Sequence, residues 1–281
     1  MPCVLSTYIP TIYFDAQTLP VKIYLYVLIG LFGLFMGSAL NCLSYRMAHK
    51  QKWTNGRSEC PSCRHTLKTM DLIPLFSWLF LKGKCRYCGN KISARYPLSE
   101  ALLALIYVSL LWKFGLSLQL VSTMIFCSCL FCLSFVDLDT QIIPDRFLVI
   151  PAIVRIAQLF IEQDPTDALL ALIPAVVLGG GILILSLIMD KILKKDTMGG
   201  GDIKLLAVLG LFLSGYPTCI AEGLLLLLVA SVIGIVMGAI MTKAKTDAIF
   251  PFGPALALSG WFILLFGEPI AIWYNGLLQV G

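Results

Sequence analysis

The chain has 281 residues, of which 58% are hydrophobic and only 13% charged. An ordinary soluble domain is about 45–50% apolar and about 25% charged, so a soluble globular enzyme is excluded and a polytopic membrane protein is indicated. The net charge of +5 follows membrane topology and is no nucleic-acid footprint.

Apolar runs near the ~20 residues needed to span a bilayer fall at about 23–43, 98–116, 118–136, 146–162, 168–189, 218–241 and 252–273. A shorter run at about 203–215 contains Gly210 and Gly215 and suits a shortened or re-entrant helix. The fold class expected is an all-α polytopic membrane protein with about eight transmembrane helices and a small cytosolic zinc-ribbon-like insert. The first run is too long for the apolar part of a cleaved signal and no basic leader precedes it, so it reads as a retained helix. The boundaries expected are 1–45 for the N-terminal segment and first helix, 46–97 for the polar loop, and 98–281 for the rest of the membrane domain.

Orientation follows from the basic residues. Residues 46–97 hold eleven of the 21 Lys and Arg residues: Arg46, Lys50, Lys52, Arg57, Arg64, Lys68, Lys82, Lys84, Arg86, Lys91 and Arg95. The positive-inside rule places this loop in the cytosol. Alternation then puts Lys191, Lys194, Lys195, Lys243 and Lys245 on the same side, and Asp15, Glu162, Asp164, Asp167 and Glu268 on the other. Both termini are expected outside.

The loop carries Cys60-Pro-Ser-Cys63 and Cys85-Arg-Tyr-Cys88, with 21 residues between the pairs. Two such knuckles let four thiolates converge tetrahedrally on Zn²⁺, and a closed four-cysteine site is structural rather than catalytic. A cytosolic location argues against disulfides. Cys42, Cys127, Cys129, Cys132 and Cys219 lie in apolar runs and read as small hydrophobes. His65 is a surface residue or an alternative ligand.

Two aspartates stand at the edges of apolar runs on the cytosolic side: Asp137, in Phe-Val-Asp-Leu-Asp-Thr-Gln, and Asp202, in Met-Gly-Gly-Gly-Asp-Ile-Lys. A carboxylate at membrane depth costs roughly 2.5–3.5 kcal/mol on insertion scales and asks for a functional reason. Two carboxylates held together share one proton, so one takes a proton from water while the other polarises a carbonyl. That is peptide hydrolysis without a covalent intermediate. Asp202 reads equally as a helix N-cap after a flexible loop. Asp139 lies about 200° from Asp137 round a helix, so only one of the two faces a partner well. Asp145 looks like a cap or turn residue, and Lys204 is placed to favour an ionised Asp202 or to contact a lipid phosphate.

In several places the chain resembles the type IV prepilin peptidases, membrane aspartic proteases of the Gly-x-Gly-Asp type. The carriers are Gly37-Ser38-Ala39-Leu40-Asn41 with Tyr45-Arg46, the four ribbon cysteines, Ile73-Pro74-Leu75, and Arg95-Tyr96-Pro97-Leu98 with Glu100. Further on come Asp137-Leu138-Asp139 through Ile143-Pro144-Asp145, Met198 to Leu206, and Pro251-Phe252-Gly253-Pro254. The resemblance implies Asp137 and Asp202 as the catalytic pair, ahead of Asp139. It implies type IV prepilins and type II secretion pseudopilins as substrates, cleaved after a glycine at the cytosolic face of the bacterial inner membrane. It also implies N-methylation of the new N-terminus with S-adenosylmethionine, whose site stays unassigned. Gly179-Gly180-Gly181 reads instead as close helix packing.

Two other classes compete. An ion-coupled transporter predicts carboxylates near the bilayer midplane and repeat symmetry between halves. A zinc-ribbon scaffold with capping aspartates leaves the glycine run without a purpose.

Overall fold

The computed structural model describes residues 18–51, 57–162, 164–195, 198–213, 218–243 and 251–279; Asp15, Lys52, Gly215 and Lys245 lie outside them. Among these residues the regular elements are helical, apart from two isolated bridges in the polar loop. α1 (Leu19–Ala48) leads into the loop, which holds a short 3₁₀ turn (Thr69–Leu72) and α2 (Phe76–Phe80). There follow α3 (Arg95–Phe114), α4 (Leu118–Thr140), α5 (Arg146–Glu162), α6 (Pro165–Leu170), α7 (Ile173–Leu193), α8 (Gly200–Gly210), α9 (Thr218–Lys243) and α10 (Gly253–Gln279).

Among the described residues six helical stretches are long and apolar enough to cross a membrane: α1, α3, α4, the α6–α7 stretch, α9 and α10. The expected count of about eight is not reached on this measure. α5 has 17 residues, with Pro151 inside it, and α8 has 11. At 1.5 Å per residue α8 is about 16 Å long, half of a roughly 30 Å hydrocarbon layer.

Local chemistry explains several helix ends. Ser117 caps α4 by accepting the Leu120 N–H at 3.1 Å, and Gln141 closes it in the left-handed region, donating to the Asp137 carbonyl at 2.8 Å. Between membrane helices apolar burial supplies little net drive, so small residues let backbones touch. α1 and α3 meet at Gly33 and Gly37, where a Cβ would lie 2.6 Å from Ala104 Cα and 2.8 Å from Glu100 Cα. α7 and α8 meet in the same way: a Cβ on Gly179 would lie 2.5 Å from Ala207 Cβ. Gly180 and Gly181 have nothing within 4 Å of such a Cβ, so only the first of the three glycines carries the expected packing.

α4 is the central element. Leu130, Leu133 and Val136 are buried with Phe126 in a core that includes Leu205, Leu206 and Leu209 of α8 and Leu256 of α10. Cys127, Cys129 and Cys132 are buried there too, as small hydrophobes should be.

Candidate active site and cysteine cluster

The last turns of α4, the start of α8 and the start of α10 converge at one end of the bundle. Asp137 is buried and four residues from the Gln141 that closes its helix. Its Oδ2 accepts the backbone N–H of Gly253, the first residue of α10, at 3.0 Å. The α10 N-terminus thus presents a free N–H and the positive end of its dipole to a carboxylate. Only glycine permits this approach, because a Cβ at position 253 would lie 2.6 Å from Asp137 Oδ2.

Asp202 stands in the first turn of α8, not at its cap. Gly199 is the N-cap, and Asp202 donates its N–H to the Gly199 carbonyl at 3.1 Å. The glycines make room: a Cβ on Gly199 would lie 3.2 Å from Asp202 Oδ2, and one on Gly201 3.1 Å from Ile143 Cβ. Asp137 and Asp202 come close enough for the charge of one to act on the other.

Asp139 points elsewhere. Arg95, at the start of α3, grips it in a bidentate pair with both N–O distances at 2.9 Å, while the guanidinium lies 4.9 Å from the Phe135 ring centroid. Lys204 turns from Asp202 to Asp145, at 2.8 Å, so the expected influence of Lys204 on Asp202 is replaced by an exposed ion pair between α8 and the residue just before α5. Gly253 and Arg95 are the two residues at this end that spacing did not single out for a role.

The cysteine loop sits at the same end. Each Cys-x-x-Cys forms a tight knuckle: Cys60 N–H donates to the His65 carbonyl and Cys85 N–H to the Asn90 carbonyl. Arg64 and Gly89, each just after its second cysteine, take positive φ of 56° and 74°. The four Sγ atoms of Cys60, Cys63, Cys85 and Cys88 lie within 4.8 Å of one another, with Cys60 and Cys88 at 3.9 Å. Tetrahedral zinc with bonds of about 2.3 Å sets its sulfurs about 3.8 Å apart, so the donor set fits a closed metal site. The Cys63 N–H first of all holds the Cys60 thiol down to about 6, which suits a metal-binding thiolate. His65 is not among the four clustered sulfur ligands and lies tilted against the Tyr87 ring, with centroids 3.7 Å apart.

Asp71 fastens the second knuckle. Burial opposes its charge, but Tyr87 Oη, the Lys68 N–H and the Arg86 cation at 2.7 Å hold its carboxyl below the usual range. The loop is tied to the membrane helices through Leu75, whose N–H donates to Glu100 Oε2 of α3 at 2.6 Å. Between α1 and the loop lies a cleft of about 320 Å³, lined by Ser38, Cys42, Arg46, Ser58 and Leu72 among others. That volume is at the small end of ligand pockets.

Two family models cover most of this architecture. Residues 31–114 match the bacterial peptidase A24 N-terminal domain, and residues 124–239 match the type IV leader peptidase family. Among curated proteins, a prepilin leader peptidase/N-methyltransferase of Stutzerimonas stutzeri is 37% identical over 77% of this chain and 74% of its own. Those of Legionella pneumophila and Bacillus subtilis (strain 168) are 30% and 34% identical, over 90% and 87% of this chain and 95% of theirs. No solved structure matches. The chain is a multi-pass membrane protein, and it belongs to the type IV leader peptidase family.

Proposed function

We propose that this protein is a membrane aspartic endopeptidase that removes the basic leader from type IV prepilins and type II secretion pseudopilins, then methylates the new N-terminus. The observation that supports the reading is that the end of α4 bearing Asp137 and the start of α8 bearing Asp202 lie at one end of an apolar bundle, with Asp139 held away by Arg95. Asp137 and Asp202 stand at helix ends rather than mid-helix, which disfavours a transport path through the bilayer. The eleven basic residues of the 46–97 loop favour a cytosolic location for this end, and the family resemblance supports the bacterial inner membrane.

The chemistry divides between the carboxylates. Asp137, oriented by the Gly253 N–H, is the base; Asp202 carries the shared proton. Asp137 takes a proton from water as the water oxygen adds to the scissile carbonyl carbon, and Asp202 gives its proton to the carbonyl oxygen. Collapse of the tetrahedral diol breaks the C–N bond: the proton on Asp137 passes to the leaving amine while one diol hydroxyl returns its proton to Asp202, leaving the new carboxyl group and the dyad as it began. The prepilin helix enters sideways from the lipid bilayer, with its unwound leader junction at the dyad.

The four cysteines hold structural Zn²⁺, which braces the loop against α1 and α3. Cys60→Ser or Cys88→Ser should lower bound zinc, measured by atomic absorption, together with protein integrity; full activity of a metal-free preparation would count against this role.

S-adenosylmethionine supplies the methyl group. The cleft between α1 and the loop would hold it, with Arg46 available to its carboxylate and Ser58 to its polar groups. Losing a charge-assisted contact weakens binding about tenfold or more. Arg46→Gln should therefore raise the apparent KM for S-adenosylmethionine with leader cleavage unchanged; unchanged methylation removes the cleft from consideration.

The whole reading is tested by incubating the purified protein with a leader-bearing prepilin and S-adenosylmethionine and weighing the products. A free leader and a methylated mature chain are expected. An intact prepilin contradicts the reading.

A further inference from the structure

α8 starts at the active-site end and stops about 16 Å away, so its carbonyl end falls within the bundle rather than in water. At membrane depth every such carbonyl needs a partner from the protein. The last turn tightens to supply three: the N–H groups of Leu211, Phe212 and Leu213 donate to the carbonyls of Val208, Leu209 and Gly210 at 3.1, 3.0 and 3.3 Å. The next carbonyl, that of Leu211, accepts Nε of Arg155 from α5 at 3.1 Å.

Arg155 is itself held in place. Its Nη1 donates to Gln158 Oε1 at 3.0 Å, and Gln158 Nε2 donates to Glu162 Oε2 at 2.7 Å, with Gln158 buried. Its guanidinium lies 5.5 Å from the ring centroid of Phe212, which stacks on Phe126 of α4 at 3.8 Å with the rings 7° from parallel. Phe126 lies about three turns along α4 from Asp137. A single cation thus caps the helix that carries Asp202 and, through one aromatic stack, reaches the helix that carries Asp137.

We propose that Arg155 is a positioning residue for leader cleavage: by anchoring the carbonyl end of α8 against α5 and α4, it fixes how far Asp202 projects toward Asp137. It touches neither carboxylate. A cation complements the negative end of a helix dipole, and the planar fork of Arg serves a backbone carbonyl and a side-chain amide at once, which an ammonium on a flexible stem does less well. An arginine inside an apolar run is otherwise costly and asks for such a role. The inference rests on the proposed Asp137–Asp202 dyad.

The test uses the full-length protein in detergent, with Arg155→Gln, Arg155→Lys and Asp202→Asn beside wild type. Cleavage of a leader-bearing prepilin and methylation of a leaderless pilin are measured separately, along with thermal unfolding. A displacement near 1 Å costs about 10²-fold in rate. Arg155→Gln should therefore lose about 10²-fold in kcat for cleavage, keep its KM within about 3-fold, and methylate the leaderless pilin at the wild-type rate. Arg155→Lys, which keeps the charge, should recover part of kcat. If Arg155→Gln does not accumulate, an intermediate kcat with unchanged KM and methylation in Arg155→Lys supports the proposal, and wild-type kcat overturns it.

Wild-type kcat in Arg155→Gln overturns the proposal. So does a parallel fall of both activities with earlier unfolding, the signature of a plain structural plug. Asp202→Asn separates the two levels. If it cleaves like wild type, the dyad reading fails; if it is inactive while Arg155→Gln is normal, only the positioning role fails.

Discussion

Asp202→Asn should lower the rate of leader cleavage by about 10³-fold or more while leaving the methylation of a leaderless pilin at the wild-type rate. Asn matches Asp in size, so α8 should keep its packing against α7 through Gly179 and Ala207. It cannot give a proton to the carbonyl oxygen, and positioned acid–base groups contribute about 10²–10⁴-fold each. Methylation needs no such proton donor, and the cleft proposed for it is lined by residues of α1 and the loop, Arg46 among them, not by either aspartate. With Asp202 already carrying the shared proton, Asn replaces a neutral group of the same size, so Asp202→Asn should unfold near the wild-type temperature. A joint loss of both activities with a lowered unfolding temperature would show instead that Asp202 holds the fold together.

Gly253→Ala is the smallest substitution with a large expected effect. The added methyl would lie 2.6 Å from Asp137 Oδ2 and 3.2 Å from its Cγ, closer than carbon and oxygen atoms tolerate. Either the carboxylate turns away or α10 backs off. Both break the 3.0 Å hydrogen bond from the Gly253 N–H. A misplacement near 1 Å predicts a loss of about 10²-fold in kcat for cleavage, with the prepilin KM little changed. Gly276→Ala is the comparison on the same helix: its methyl would meet nothing within 4 Å. Equal losses in the two variants would reduce the Gly253 contact to ordinary packing.

Features set by local spacing were legible in the sequence. Two Cys-x-x-Cys pairs announce a four-sulfur cluster whatever the rest of the chain does, and the four sulfurs do converge. The apolar runs announce membrane helices because a bilayer imposes their length, though the 146–162 and 203–215 runs give helices shorter than a full span. Features set by distant partners were not legible. Asp137 and Asp139 are told apart by distant partners: Gly253 donates to the first, and Arg95, 44 residues from Asp139, claims the second. Lys204 stands two residues from Asp202, yet it pairs with Asp145, because its direction depends on how α8 crosses the start of α5. Gly253 drew notice as part of a motif, and only the fold aims its N–H at Asp137. For Arg155 a signal was present: a cation in the middle of an apolar run is rarely idle.

The central claim is that Asp137, rather than Asp139, works with Asp202. Its most direct test is the initial rate of leader cleavage by Asp137→Asn beside Asp139→Asn, with both proteins purified and shown to be folded. Asp139→Asn weakens an ion pair with Arg95 that is partly exposed at both partners, and such pairs contribute about 0–1 kcal/mol. It should cleave within about 10-fold of wild type, while Asp137→Asn should be inactive. Cleavage by Asp137→Asn at a rate near wild type, or loss confined to Asp139→Asn, would contradict the assignment.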